Sequence, residues 1–244
     1  MSEGMHARHP ILTSLEPSPA ARFGAYGSAF GLAVMLTLSA CGASNDGDES
    51  TKVNGSIHVP AGRQPGAVAT VNGSIHVDDN AAITSATTVN GAVHLGGHAT
   101  ATSLNSVSGS ITLGSGAHVS GSVSSVNGEL SLEDGADVSG SLSNVNGKIT
   151  LTAAHVGGGI KTVSGGMNIT GASRVEGGLH VQKPSSELIH LVMDVPRIVI
   201  GPGVTVQGDL RFERTVQLFI SDKATVGVVT GATAISFSGE TPPP

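Results

Sequence analysis

A seven-residue phrase returns along this chain at an almost constant interval. It reads VNGSIHV at 53–59 and again at 71–77. Then come VNGAVHL (89–95), VSGSITL (107–113), VNGELSL (126–132), VNGKITL (145–151) and VSGGMNI (163–169). Its first residue advances by 18, 18, 18, 19, 19 and 18 positions. A second aliphatic series runs out of phase with it: Val68, Ala86, Leu104, Val123, Leu142, Ile160, Leu179, Ile198, Val216 and Ile235, in steps of 18 or 19. This series continues where the phrase has faded. A period of this size, kept over most of a chain, demands a solenoid in which each copy buries its apolar face on its neighbours.

Within each phrase the apolar residues alternate. The alternation predicts Val53, Gly55, Ile57 and Val59 on one side, with Asn54, Ser56 and His58 on the other. No copy carries a helical stripe, and Val, Ile, Thr and Ser suit short strands. Eighteen or nineteen residues supply three such strands and three corners. The expected fold is all-β: a single-stranded parallel β-helix, triangular in section, of about ten rungs of 18–19 residues over 52–239. Rungs at about 4.8 Å give a rod of roughly 45–50 Å. A right-handed winding is expected. Left-handed hexapeptide helices repeat an aliphatic residue every six positions, whereas Val119, Val123, Val126, Leu130, Leu132 and Val138 do not.

Composition says what fills such a tube. Hydrophobic residues reach 39%, yet aromatics are 2% and Trp is missing. The interior must therefore be small and aliphatic, at about one side chain per face per rung. Phe212, Phe219 and Phe237 all come late and are expected to fill a closing end. The net charge of −6 argues against a nucleic-acid binder, which needs a basic face. No nucleophile motif, P-loop or dinucleotide fingerprint occurs. The expectation is no enzyme and no cofactor.

The N-terminus carries a different signal. Arg8 and Arg22 precede the apolar run Phe30–Ala40, which is too short to span a bilayer as a mature helix. The run ends Leu38-Ser39-Ala40-Cys41, which resembles the lipobox of bacterial lipoproteins. The resemblance implies that 1–40 is removed and that Cys41, the sole cysteine, is lipidated. Gly42 in the following place implies the outer membrane. Residues 41–51 read as a polar tether and 240–244 as a Pro-rich tail. The partners expected are the membrane, through Cys41, and a second copy in end-to-end or lateral contact. Unpaired end rungs invite such contact, and Pro242-Pro243-Pro244 would block one of them, because Pro donates no ladder hydrogen bond.

Three outward columns carry the remaining chemistry. His58, His76 and His94 occupy one place in successive rungs, followed there by Thr112, Ser131, Thr150 and Asn168. His118 and His155 share another place, with Asp137 between them. Imidazoles ligate Zn²⁺ or Cu²⁺, so these five His are the candidate metal ligands. The first column itself holds no Cys or carboxylate, and the expectation is a solvated ladder with no resident metal. Asn54, Asn72, Asn90, Asn127 and Asn146, with Ser108 and Ser164, should form a hydrogen-bonded ladder along the axis. Arg211 and Arg214 lie beside Asp209 and Glu213 and read as surface ion pairs.

Short VxG rungs with an aliphatic interior, above all PRIVIGPGVTVQGDL at 196–210, resemble the bactofilins, polymer-forming bacterial cytoskeletal proteins. The VNG phrases also look like those of adhesin-like β-helix families of bacterial envelopes. The resemblance implies a non-enzymatic scaffold that self-associates, or an adhesin-like module binding through one flat face. Bactofilins mostly lack an exported lipoprotein signal, so residues 1–41 move the expected role to the envelope.

Overall fold

The computed structural model describes residues 50–184 and 195–243. The predicted signal, Leu38, Ser39, Ala40 and Cys41 lie outside the described residues.

The chain winds through three parallel sheets, two of ten strands and one of seven, with no helix among the described residues. One rung shows the plan: Ser103–Ser108 lies on the first face, Ile111–Leu113 on the second and His118–Val119 on the third. Val123–Asn127 then starts the next rung, pairing in parallel with Ser103–Ser108. Ten strands on each of two faces make nine steps along the axis. The triangular parallel β-solenoid is the expected fold.

Each face turns two side chains inward per rung, not one. In that same rung they are Leu104 and Ser106, Ile111 and Leu113, and Ala117 and Val119, all buried. Tight stacking of small aliphatics leaves no place for aromatic rings in the middle rungs. Of the three late Phe residues only Phe212 lies in the main core. Phe219 takes an outward place, and with Val199 and Phe237 it forms a second, separate apolar cluster.

The phrase folds out of the predicted phase. Val53 is 56% exposed, and Val71, Val89, Val107 and Val126 are half-buried on the outer side. The inward residue is the one before: Thr70, Thr88, Ser106, Ser125, Asn144 and Thr162, all buried. Asn-Gly then turns the corner, and the alternation restarts with Ile57 and its equivalents inside. A strict period of two cannot be carried through a corner, so the second half of the phrase inverts the first.

The buried hydroxyls have a task. At the corner the glycine carbonyl leaves the strand ladder and points at the interior of the next rung. Thr70 Oγ1 donates to Gly55 O (3.1 Å), Thr88 Oγ1 to Gly73 O (3.0 Å), Ser106 Oγ to Gly91 O (3.4 Å) and Ser125 Oγ to Gly109 O (3.3 Å). Asn144 Nδ2 does the same for Gly128 O (2.8 Å), leaving its own Oδ1 buried without a partner. A buried carbonyl without a donor costs on the order of 1–3 kcal/mol, which explains a polar column inside an aliphatic tube.

The aliphatic series holds as a stacked column from Val68 to Leu179. It then departs from expectation: Leu179 pairs with Leu210, thirty-one residues on, and not with Ile198. Ile198 stacks on Met167 on the second face. The same step of 31 separates Arg174 from Thr205 on the third face. A twelve-residue excursion between Val181 and Arg197 interrupts the period. The apparent continuation through Ile198 and Val216 was a coincidence of phase.

The tail also departs from the expected block. Arg197 Nη2 donates to Pro243 O (2.7 Å), which draws the tail back along the outside of the second face. The last strand, Ala234–Phe237, keeps its inward-pointing Ala234 and Ser236 exposed.

Candidate functional site

The outer surface of the solenoid is organised in columns, because parallel in-register pairing places equivalent residues one above another. Most columns are small and polar. Asn72 Nδ2 donates to Asn54 Oδ1 (3.0 Å), Asn90 Nδ2 to Asn72 Oδ1 (3.0 Å) and Asn146 Nδ2 to Asn127 Oδ1 (2.9 Å). This is the predicted amide ladder, interrupted where Ser108 replaces Asn. These bonds fix rung register.

The histidine column stands as read from the sequence. His58, His76 and His94 are in register on the second face, followed by Thr112. The His58 and His76 rings lie 5.6 Å apart and tilted by 44°, whereas His76 and His94 stack at 4.8 Å and 7°. What the sequence did not reveal is a carboxylate beside the column. Asp78 follows Val77 at the next corner and turns back over the face. Its Oδ1 lies 2.8 Å from His58 Nε2 and 3.2 Å from His76 Nε2. The two imidazole nitrogens and the carboxylate oxygen all fall within 4.8 Å of one another. The hydrogen bond from His58 holds the Asp78 carboxyl below the ordinary carboxylate range, with smaller help from the charge of His76 and the backbone of Ala61. An acid two residues after a His was visible in the sequence. That the corner folds it onto the column is a tertiary fact.

The third face carries the other predicted column. His118, Asp137 and His155 are in register, with Thr100 before them and Arg174 after. His118 Nδ1 bonds one oxygen of Asp137 at 2.6 Å, and His155 Nδ1 bonds the other. Beyond them His155 Nε2 faces Glu176 Oε1 at 3.5 Å. Burial works to raise the Asp137 pKa, but the hydrogen bonds and charges of His155 and His118 outweigh it and hold it low. The two imidazoles grip opposite oxygens. The column is therefore an alternating hydrogen-bonded stack, and its ligating atoms do not converge on one point.

Of the charged concentration around residue 211, Arg211 and Glu213 form the expected surface pair, whereas Asp209 Oδ1 accepts from Val228 N (3.2 Å). Glu213 accepts from His180 (2.9 Å) and Arg211 (3.2 Å), and the His180 hydrogen bond chiefly holds its carboxyl low. Arg214 Nη1 reaches back to Val163 O (3.1 Å) and so fastens the rungs on either side of the excursion.

Toward the C-terminal end the second face turns apolar. Its outward column passes from Asn168 to Val199, Phe219 and Ile235. The Arg197 guanidinium lies 4.6 Å above the Phe219 ring. A shallow groove of about 510 Å³ runs here, lined by Lys148, Asn168, Arg197, Val199, Thr241 and Pro242 among others.

Comparison of the chain with protein-family models, with curated proteins and with solved structures gives no match.

Proposed function

We propose that this protein is a non-enzymatic, lipid-anchored scaffold of the bacterial envelope. The leader 1–40 is removed, Cys41 carries the lipid at the outer membrane, residues 41–51 act as a tether, and the solenoid is the working body. The scaffold reading rests on one observation: a bore packed with aliphatics and hydroxyls, wrapped in faces of Ser, Thr and Asn. Such a body gives rigidity and register and offers few groups for chemistry.

Self-association, as in the bactofilins, would use the C-terminal end. There Val228 and Ile235 are 64% and 49% exposed, and the inward positions of the last strand are open. An adhesin-like module is the second reading. It is favoured by the groove between Lys148, Arg197 and the tail.

Two measurements test the proposal. Cells expressing the chain should incorporate a palmitate analogue into it, and Cys41→Ala should abolish the label and release the protein from membranes. Label retained by that variant overturns the anchor. Light scattering of the chain from residue 42 onward should give dimers or larger species, reduced to monomers by Val228→Lys with Ile235→Lys. A monomer at every concentration overturns self-association and leaves the binding-module reading.

A further inference from the structure

We propose that His58, His76 and Asp78 form a binding site for a single divalent transition-metal ion of the zinc and copper class. The site is independent of the scaffold reading, since it needs only the first two rungs.

Three observations on different levels converge. The first is register: the strands Ile57–Val59 and Ile75–Val77 pair residue for residue, so both imidazoles leave the same face one rung apart. The second is the corner. Asp78 N donates to Val59 O (2.9 Å), which fixes the Asp78 backbone over the rung below. Its side chain therefore meets His58 as well as His76. The third is distance. Around a tetrahedral ion with bonds of about 2.0–2.1 Å, ligand atoms stand about 3.3 Å apart. Asp78 Oδ1 already lies 2.8 and 3.2 Å from the two Nε2 atoms. The two Nε2 atoms lie within 4.8 Å of each other, and both rings are exposed.

The donor set selects the ion class. Two neutral imidazoles and one carboxylate suit Zn²⁺, Cu²⁺ or Ni²⁺ and poorly suit Mg²⁺ or Ca²⁺, which want oxygen cages. Three protein ligands leave a fourth position toward solvent, as in open zinc sites. His94 stacks on His76 with nearly parallel rings but is not one of the three converging groups. Neighbouring rungs lack the combination. His94 is followed by Leu95 and Gly96, and Thr112 by Leu113 and Gly114, so no second carboxylate reaches the column by this route.

The test uses the full chain with Cys41→Ser, so that a free thiol does not compete for metal. Calorimetry with Zn²⁺ should show one saturable site, weakened at least about tenfold by His76→Asn and by Asp78→Asn, since losing even an outer-shell partner costs about 10–100-fold. His118→Asn and His94→Asn should leave it unchanged. Electron paramagnetic resonance with one equivalent of Cu²⁺ should show two coordinated imidazole nitrogens, falling to one in His58→Asn. Circular dichroism should show that every variant keeps its strand signal, since the substituted side chains are on the surface. Binding that survives both His76→Asn and Asp78→Asn, or that is lost equally in His94→Asn or His118→Asn, overturns the assignment. So does the absence of a saturable site.

Discussion

Asp137 shows how much one side chain gains from a stacked register. It stands between His118 in the rung below and His155 in the rung above, and each carboxylate oxygen has its own imidazole. Its pKa in the fold lies below the ordinary 3.8, since the two imidazoles outweigh the burial that works against the charge. For a depressed acid the stabilisation is complete above the unfolded value and drains as pH falls through the folded one. Thermal melting should therefore separate the parent from Asp137→Asn at pH 5, and the gap should close as pH falls below about 4. At this partly exposed site the expected difference is modest, about 0.5–1 kcal/mol or a few degrees in Tm. A gap that widened on acidification would contradict the pairing. The site at Asp78 makes the same point differently: its neighbours were set by where a corner turns.

At the scale of the strand and its corner, the glycine of the phrase is the decisive residue. A Cβ on Gly109 would lie 1.9 Å from Gly91 O, and one on Gly128 would lie 2.1 Å from Gly109 O. The reason is close stacking of corner on corner, not an unusual backbone angle. Gly62 is the opposite case, with φ +74° and nothing near its missing Cβ. Gly109→Ala should thus cost about 3 kcal/mol or more by forcing two rungs apart. Gly62→Ala should cost about 1 kcal/mol, the penalty of a left-handed backbone alone. Chemical denaturation of the two variants checks the order, and equal losses would mean that the corners yield.

The molecule as a whole is a sum of nearest-neighbour interfaces, so it tolerates an interruption that a globular core would resist. The excursion between Val181 and Arg197 lengthens one turn to 31 residues without disturbing the pairing on either side. Deleting the twelve residues 184–195 restores the 19-residue step. The product should keep the parent's strand signal and cooperative melting, with Tm within a few degrees. Collapse to an unfolded chain would show that the excursion carries packing the rest depends on.

Much of this architecture was legible in the residues themselves. A period of 18–19 with aliphatic spacing leaves a chain few ways to bury its apolar side, and the outward columns of His58–His76–His94 and His118–Asp137–His155 follow from that period. Three things were not legible. The phase of the Val in each phrase depended on a corner carbonyl that needed a buried hydroxyl. The true partner of Leu179 depended on an excursion whose length happened to keep the aliphatic phase. The meeting of Asp78 with His58 depended on the direction of a turn. A repeat fixes what stacks on what, because identical strands pair best in register. Only the folded chain fixes what a corner brings across the face, because that is decided by backbone direction and not by spacing.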